Sequence, residues 1–126
     1  MRLNPPSKNK SLMRRYMSKR EAQLYLDDIF QSIAHIEQYT EGLSFEDFLH
    51  DAKTIDAVVR NFEILGEAAA RLPEDFKEQY SFVPWSAMVG MRNKVIHEYF
   101  GIDPEIIWKT IQEDIPVLKD NLKKLG

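Results

Sequence analysis

With 126 residues, 44% of them hydrophobic and 29% charged, the chain has room for one domain around one core. It holds no cysteine, which excludes a disulfide framework and a thiolate metal site. No apolar run approaches the roughly 18 to 20 residues that span a bilayer, and the N-terminus lacks the apolar middle of a secretion signal, so a soluble, cytoplasmic protein with no membrane contact is expected.

The net charge of −3 conceals an asymmetry. Residues 1–20 carry seven basic residues and no acid, while residues 21–126 hold the other 10 of the 17 basic residues and all 20 acidic ones. Backbone phosphates reward clustered positive charge, so an acidic body needs a local contact, the basic arm or a second subunit to hold RNA. Residues 1–17, basic and interrupted by Pro5-Pro6, read as a disordered arm, and 18–126 as one helical domain.

Ser18-Lys19-Arg20-Glu21 has the form of a capping box. Ala22, Leu26, Ile29, Ile33 and Ile36 then recur at helical spacing, which predicts a helix over about 19–40 that stops near Gly42. Ser44-Phe45-Glu46-Asp47 is a second cap, opening a short helix at 44–50 that runs into a longer one. The stripe of that longer helix is Ile55, Val58, Val59, Phe62, Leu65, Gly66 and Ala69. Gly66 and Ala68-Ala69-Ala70 permit close helix approach, and Leu72-Pro73 ends the helix. A short helix at 74–82 follows, then one at 84–99 opened by Pro84 and ended at Gly101. Asp103-Pro104-Glu105 starts the last helix, whose stripe is Ile107, Ile111, Ile115, Leu118, Leu122 and Leu125, with Pro116 kinking or opening it. No alternating strand pattern occurs. The expected fold is all-α: an up-and-down bundle of four main helices plus a short one.

One segment of this bundle concentrates chemistry. Over 92–99 a helix would set Asn93 and His97 four apart on one face and Arg92 and Tyr99 seven apart on the adjacent stripe. A permanent cation, an amide, an imidazole and a phenol suit RNA cleavage without metal or cofactor, in which the 2′-hydroxyl attacks the adjacent phosphate. His97 is the natural candidate for the proton donor or acceptor that the reaction needs, Arg92 offers a fork for the transition-state charge, and Asn93 can orient the imidazole or hold a phosphate oxygen. One histidine cannot readily serve as base and acid in a single step, so a two-fold dimer is expected to supply both. Spacing alone also fits structural roles: His97 as a satisfied interface histidine, Tyr99 as a core aromatic with a wet hydroxyl.

Elsewhere, His35 and His50 lack ligand-spaced partners, and His97-Glu98 lacks the second histidine of a zinc protease motif. Arg60, Glu63 and Glu67 share one helix face as an ion-pair row. Glu46, Asp47 and Asp51 fit either a magnesium site or helix caps, and Trp85 and Trp108 fit core or interface positions.

The run Gly90–Gly101, continuing through Asp103, Ile107 and Trp108 to Glu113-Asp114-Ile115-Pro116, resembles the C-terminal signature of the HepT toxin family within the HEPN superfamily. Asp51–Ala68 is similar to the second-helix block of that family, and the resemblance covers about 18–122. It implies a HEPN-like bundle in a two-fold homodimer, with metal-independent ribonuclease activity carried by Arg92 and His97. It also implies that Arg60 and Glu63 lie near the cleft. The partner implied is a minimal nucleotidyltransferase antitoxin of a type VII toxin–antitoxin system, which transfers AMP to Tyr99 and silences the toxin, with a higher assembly of the two left open. The alternative is a non-catalytic nucleotide-binding or docking module for such a nucleotidyltransferase.

Overall fold

The computed structural model describes residues 9–96 and 101–125, and of residues 17 and 18 the backbone alone. Its first helix, α1 (Lys10–Thr40), opens on Asn9, whose side-chain oxygen accepts from the N–H groups of Ser11 at 2.9 Å and Leu12 at 3.1 Å. The sequence predicts this start at 19, so part of the stretch expected as a disordered arm is helical. Leu12, Met13, Arg14 and Arg15 are good helix formers, and with Asn9 capping them nothing interrupts the helix before Ser18. Ala22, Leu26, Ile29, Ile33 and Ile36 are buried, as their spacing predicts. The turn after the helix uses Gly42 at φ +76°, a conformation that costs little only without a Cβ.

In α2 (Phe45–Leu49) the Asp47 N–H donates to the Ser44 hydroxyl at 3.0 Å and the Ser44 N–H donates to the Asp47 carboxylate at 3.1 Å, so the predicted cap closes as a full capping box. Phe48 is fully buried. The chain then breaks at His50-Asp51 before α3 (Ala52–Arg71), because Asp51 caps the second helix itself. The Thr54 hydroxyl at 2.7 Å and its N–H at 3.1 Å both donate to Asp51 and hold its carboxyl below the usual value. A depressed folded value means that this cap stabilises α3 above the ordinary carboxylate range and is lost as pH falls through the lowered one.

Helix α3 lies between α1 and α5 (Trp85–Val95) and buries Val58, Val59, Phe62, Leu65, Gly66, Ala68 and Ala69 against them. His35 of α1 meets Asn61 of α3, and α1 also touches α4 (Glu74–Gln79), which follows α3. Both contacts fit α1 running antiparallel to α3, with Phe30, just past the middle of α1, about level with Gly66. Helix α4 is shorter than the 74–82 predicted.

A second departure is in α5. The sequence predicts it to 99, but it ends at Val95, and Ile96 is extended at φ −97° and ψ 95°. Val95 and Ile96 are consecutive β-branched residues, which lose side-chain freedom in a helix. The Ile96 N–H closes the last turn on the Arg92 carbonyl at 2.8 Å.

The final stripe runs through α6 (Pro104–Lys109), a π-helical segment (Thr110–Asp114) and α7 (Ile115–Lys123) without leaving the core; Ile107, Ile111, Ile115, Leu118 and Leu122 are all buried. Pro116 has no N–H to give to the Gln112 carbonyl, and its ring crowds that oxygen. The preceding turn widens in response, and the Ile115 N–H reaches back five residues to Thr110. The predicted local opening thus takes a defined form.

The fold is all-α, as expected, and no strand forms among the described residues. Four long elements (α1, α3, α5 and the continuous α6–α7) carry two short helices, α2 and α4; both lie where the sequence predicts short helices, with α2 separated from α3 rather than running into it. Among the described residues no helix is long and apolar enough to cross a membrane.

Candidate functional site

Arg92 and Asn93 stand on the last turn of α5, where the open carbonyls of a helix end favour cations; Arg92 and Lys94 are both there. The Arg92 Nε donates to the Asn93 side-chain oxygen at 3.2 Å. The arginine stem lies on Gly66 of α3. A Cβ built at Gly66 would stand 2.5 Å from the Arg92 Cβ, 2.8 Å from its Cδ and 3.0 Å from its Cγ. The bare backbone of Gly66 is therefore a slot shaped for this stem. Small residues on α3 signal close approach in the sequence, but nothing there says which side chain uses the space.

No ion pair of Arg92 occurs among the described residues, whereas its neighbour Lys94 holds Asp114 at 2.6 Å. That pair pins the end of α5 to the π-helical segment. Sequence reasoning misses it, because the two residues are 20 positions apart on different elements and belong to no helical pattern.

On α3 the predicted ion-pair row divides. Arg60 pairs with Glu63 at 3.6 Å, and Glu67 pairs with Arg71 at 2.8 Å. These side chains are largely solvated, so each pair is worth a few tenths of a kcal/mol. Glu63 sits one turn before Gly66, on the side of α3 that the Arg92 stem approaches, while Arg60 is turned farther toward solvent.

His97 and Tyr99, the expected proton-transfer and modification residues, lie outside the described residues. The expectation that they share helix stripes with Asn93 and Arg92 depended on a helix to 99.

The remaining candidates have ordinary roles. The Asn61 amide nitrogen donates to the Ala57 carbonyl at 2.8 Å, which turns its oxygen toward His35 at 3.2 Å; the His35 Nδ1 is therefore assigned as donor. The His35 ring stacks on Tyr39 at 5.5 Å between centroids. His50 pairs with Glu46 at 3.0 Å on the surface. Because Glu46 pairs with His50 while Asp47 and Asp51 cap helices, the acidic row is occupied by these contacts; among the described residues no three such groups are arranged around a metal position. Trp85 is buried with its N–H on the Tyr80 carbonyl at 3.0 Å, and Trp108 packs on Phe48 at 5.2 Å between centroids.

A half-buried arginine with a fixed stem, unpaired among the described residues and hydrogen-bonded to an amide, is suited to meet a phosphate oxygen.

Comparison with known proteins is consistent with that chemistry. A family model described as HepT-like, Ribonuclease HepT-like, matches residues 29–125. A protein of Thermococcus cleftensis named probable ribonuclease HepT is 50% identical over 107 residues, which cover 85% of this chain and 97% of that protein. A protein of Caldanaerobacter subterraneus subsp. tengcongensis named as a candidate RNase is 46% identical over 101 residues, covering 80% of this chain and 90% of its own. No solved structure matches the chain.

Proposed function

The chain belongs to the HepT-like ribonuclease family, and from that premise we propose that it is a metal-independent RNA endonuclease, the toxin of a type VII toxin–antitoxin pair. The observation that carries this reading is the placement of Arg92. Its stem is locked between α3 and α5, its guanidinium is unpaired among the described residues, and it stands five residues before the family's histidine.

The 2′-oxygen of a ribose attacks the neighbouring phosphorus and the bond to the 5′-oxygen breaks, leaving a cyclic phosphate and a free 5′-hydroxyl. His97 takes the proton of the attacking hydroxyl, and the His97 of a second subunit gives one to the leaving oxygen. Arg92 neutralises charge on the equatorial oxygens as it builds. Asn93 orients the imidazole or holds a phosphate oxygen, and Arg60 and Glu63 border the cleft. Purified protein is expected to cut RNA in excess EDTA and to leave cyclic phosphate ends. Cutting that requires added magnesium would remove the metal-independent step, and no cutting, with no toxicity on expression, would favour a docking module.

Control is assigned to Tyr99, whose phenol oxygen takes AMP from ATP on a cognate nucleotidyltransferase, with loss of its proton and release of pyrophosphate. The added phosphate puts negative charge and bulk beside the groups that must receive an RNA phosphate. Intact-mass measurement of the protein made with and without its genomic neighbour tests this. Mass steps of one AMP residue are expected, and they should vanish in Tyr99→Phe. Steps that persist in that variant would move the modification elsewhere.

A further inference from the structure

The first turns of α1 stand apart from the rest of the chain in charge and in packing. Lys10, Arg14, Arg15, Lys19 and Arg20 are all exposed, and no acid occurs before Glu21. Ala22 is the first buried residue of the helix; among the described side chains before it, Met13 and Tyr16 are half-buried and the others are exposed. The core stripe of α1, read backward from Ala22 by three and then four residues, arrives at Lys19 and Arg15. Two cations thus occupy the line along which the helix would otherwise pack, so this stretch is not built to extend the core.

The twelve residues from Lys10 to Glu21 span roughly 18 Å at the helical rise. They also lie outside the segment that the family model matches, residues 29–125. Their position relative to the arginine slot follows from the pairing of α1 with α3. His35 stands beside Asn61, so in an antiparallel pair the level of Gly66 corresponds to about Phe30. Arg20 is then roughly 15 Å and Lys10 roughly 30 Å from that level along the helix axis.

We propose that the stretch from Lys10 to Arg20 is a phosphate-binding track that holds single-stranded RNA and leads it toward Arg92. The assignment deepens the RNase reading and rests on it for the identity of the polyanion. The charge balance favours RNA. Residues 21–126 carry twice as many acids as bases, so a polyanion approaching the bundle is repelled except where cations cluster without acids between them. An anionic membrane is the competing occupant, but the apolar side of the stretch is short. Leu12, Met13 and Tyr16 are followed one turn later by Arg20, whose guanidinium lies 3.4 Å from the Tyr16 hydroxyl.

The test compares the full chain with a variant carrying Lys10→Gln, Arg14→Gln, Arg15→Gln and Lys19→Gln. Glutamine keeps helix propensity, which circular dichroism verifies. The probe is a fluorescein-labelled 2′-O-methyl RNA, which lacks the attacking hydroxyl and so reports binding independently of cleavage. The variant should bind this probe about tenfold or more weakly at low salt, and the slope of log affinity against log salt should flatten by about 2 to 3, since single strands give about 0.7 per neutralised phosphate. On cleavable RNA its KM should rise while kcat holds. Equal affinity and equal slope in the two proteins overturn the track, as does wild-type binding to phosphatidylserine vesicles with an unchanged RNA slope. A slope change in a protein that cuts no RNA leaves the track standing and removes the RNase reading instead.

Discussion

His97→Ala is expected to slow RNA cleavage by about 10²- to 10⁴-fold, the range that a positioned proton-transfer group contributes. Helix content and oligomeric state should not change, because the four long elements and their buried stripe are complete without residue 97. Arg92→Ala should lose about 10²- to 10³-fold, as when one transition-state donor is removed. The two residues act on one transition state, so the double variant should lose less than the product of the single losses. Arg92→Lys should recover little. Lysine is a compact, strongly hydrated point charge, while the arginine fork meets two phosphate oxygens in one plane. Kinetics on a defined RNA settle the point: wild-type rates in a folded His97→Ala protein would sink the assignment. If each site draws one histidine from each of two subunits, a dimer mixed from one wild-type and one His97→Ala chain lacks one of the two proton-transfer groups, so it should cut far below half the wild-type rate but no slower than the pure variant.

The fold was legible wherever burial is periodic. The stripe from Ala22 to Ile36, the face of α3 and the run from Ile107 to Leu122 are read directly from 3.6-residue spacing, because a helix that must bury one side repeats its apolar residues at that period. The caps at Ser44 and Asp103 were equally visible, since each satisfies helix N–H groups with a side chain only a few residues away, whereas Asp51 fitted a magnesium site as well as a cap. Boundaries set by competition were not. Asn9 outcompetes Ser18 as the start of α1 by a margin that no local pattern displays, and α5 stops at Val95 although the family signature continues without a break. In the candidate site, residue types and spacing pointed to Arg92 and Asn93. The supports that hold them are long-range: Gly66 on α3, and the Lys94–Asp114 pair between α5 and the π-helical segment. A contact between elements 20 or more residues apart has no period, so it becomes visible only when the helices are packed.

Gly66→Ala should therefore damage activity far more than stability. The added methyl would meet the Arg92 Cβ at 2.5 Å, an atom fixed to the backbone of α5, so a change of rotamer cannot relieve the clash. The helices must part by about 1 Å to restore ordinary contact, and overpacking of this kind costs about 1 to 3 kcal/mol. Replacing a mid-helix glycine returns roughly 1 kcal/mol of helix propensity, so the net loss of stability should be about 2 kcal/mol or less. Catalysis has no such offset. A displacement of about 1 Å at a charge-stabilising group can cost about 100-fold in rate, so kcat/KM should fall by that order while the thermal midpoint falls by about 10 °C or less. Gly90→Ala on α5 is the internal control. No atom lies within 4 Å of the Cβ it would add, so it should raise stability slightly and leave cleavage unchanged. A folded Gly66→Ala protein that cuts RNA at the wild-type rate would show that the slot is mere packing. Loss of cleavage in Gly66→Ala alone, with Gly90→Ala fully active, would tie the activity to where α3 lets the Arg92 stem rest.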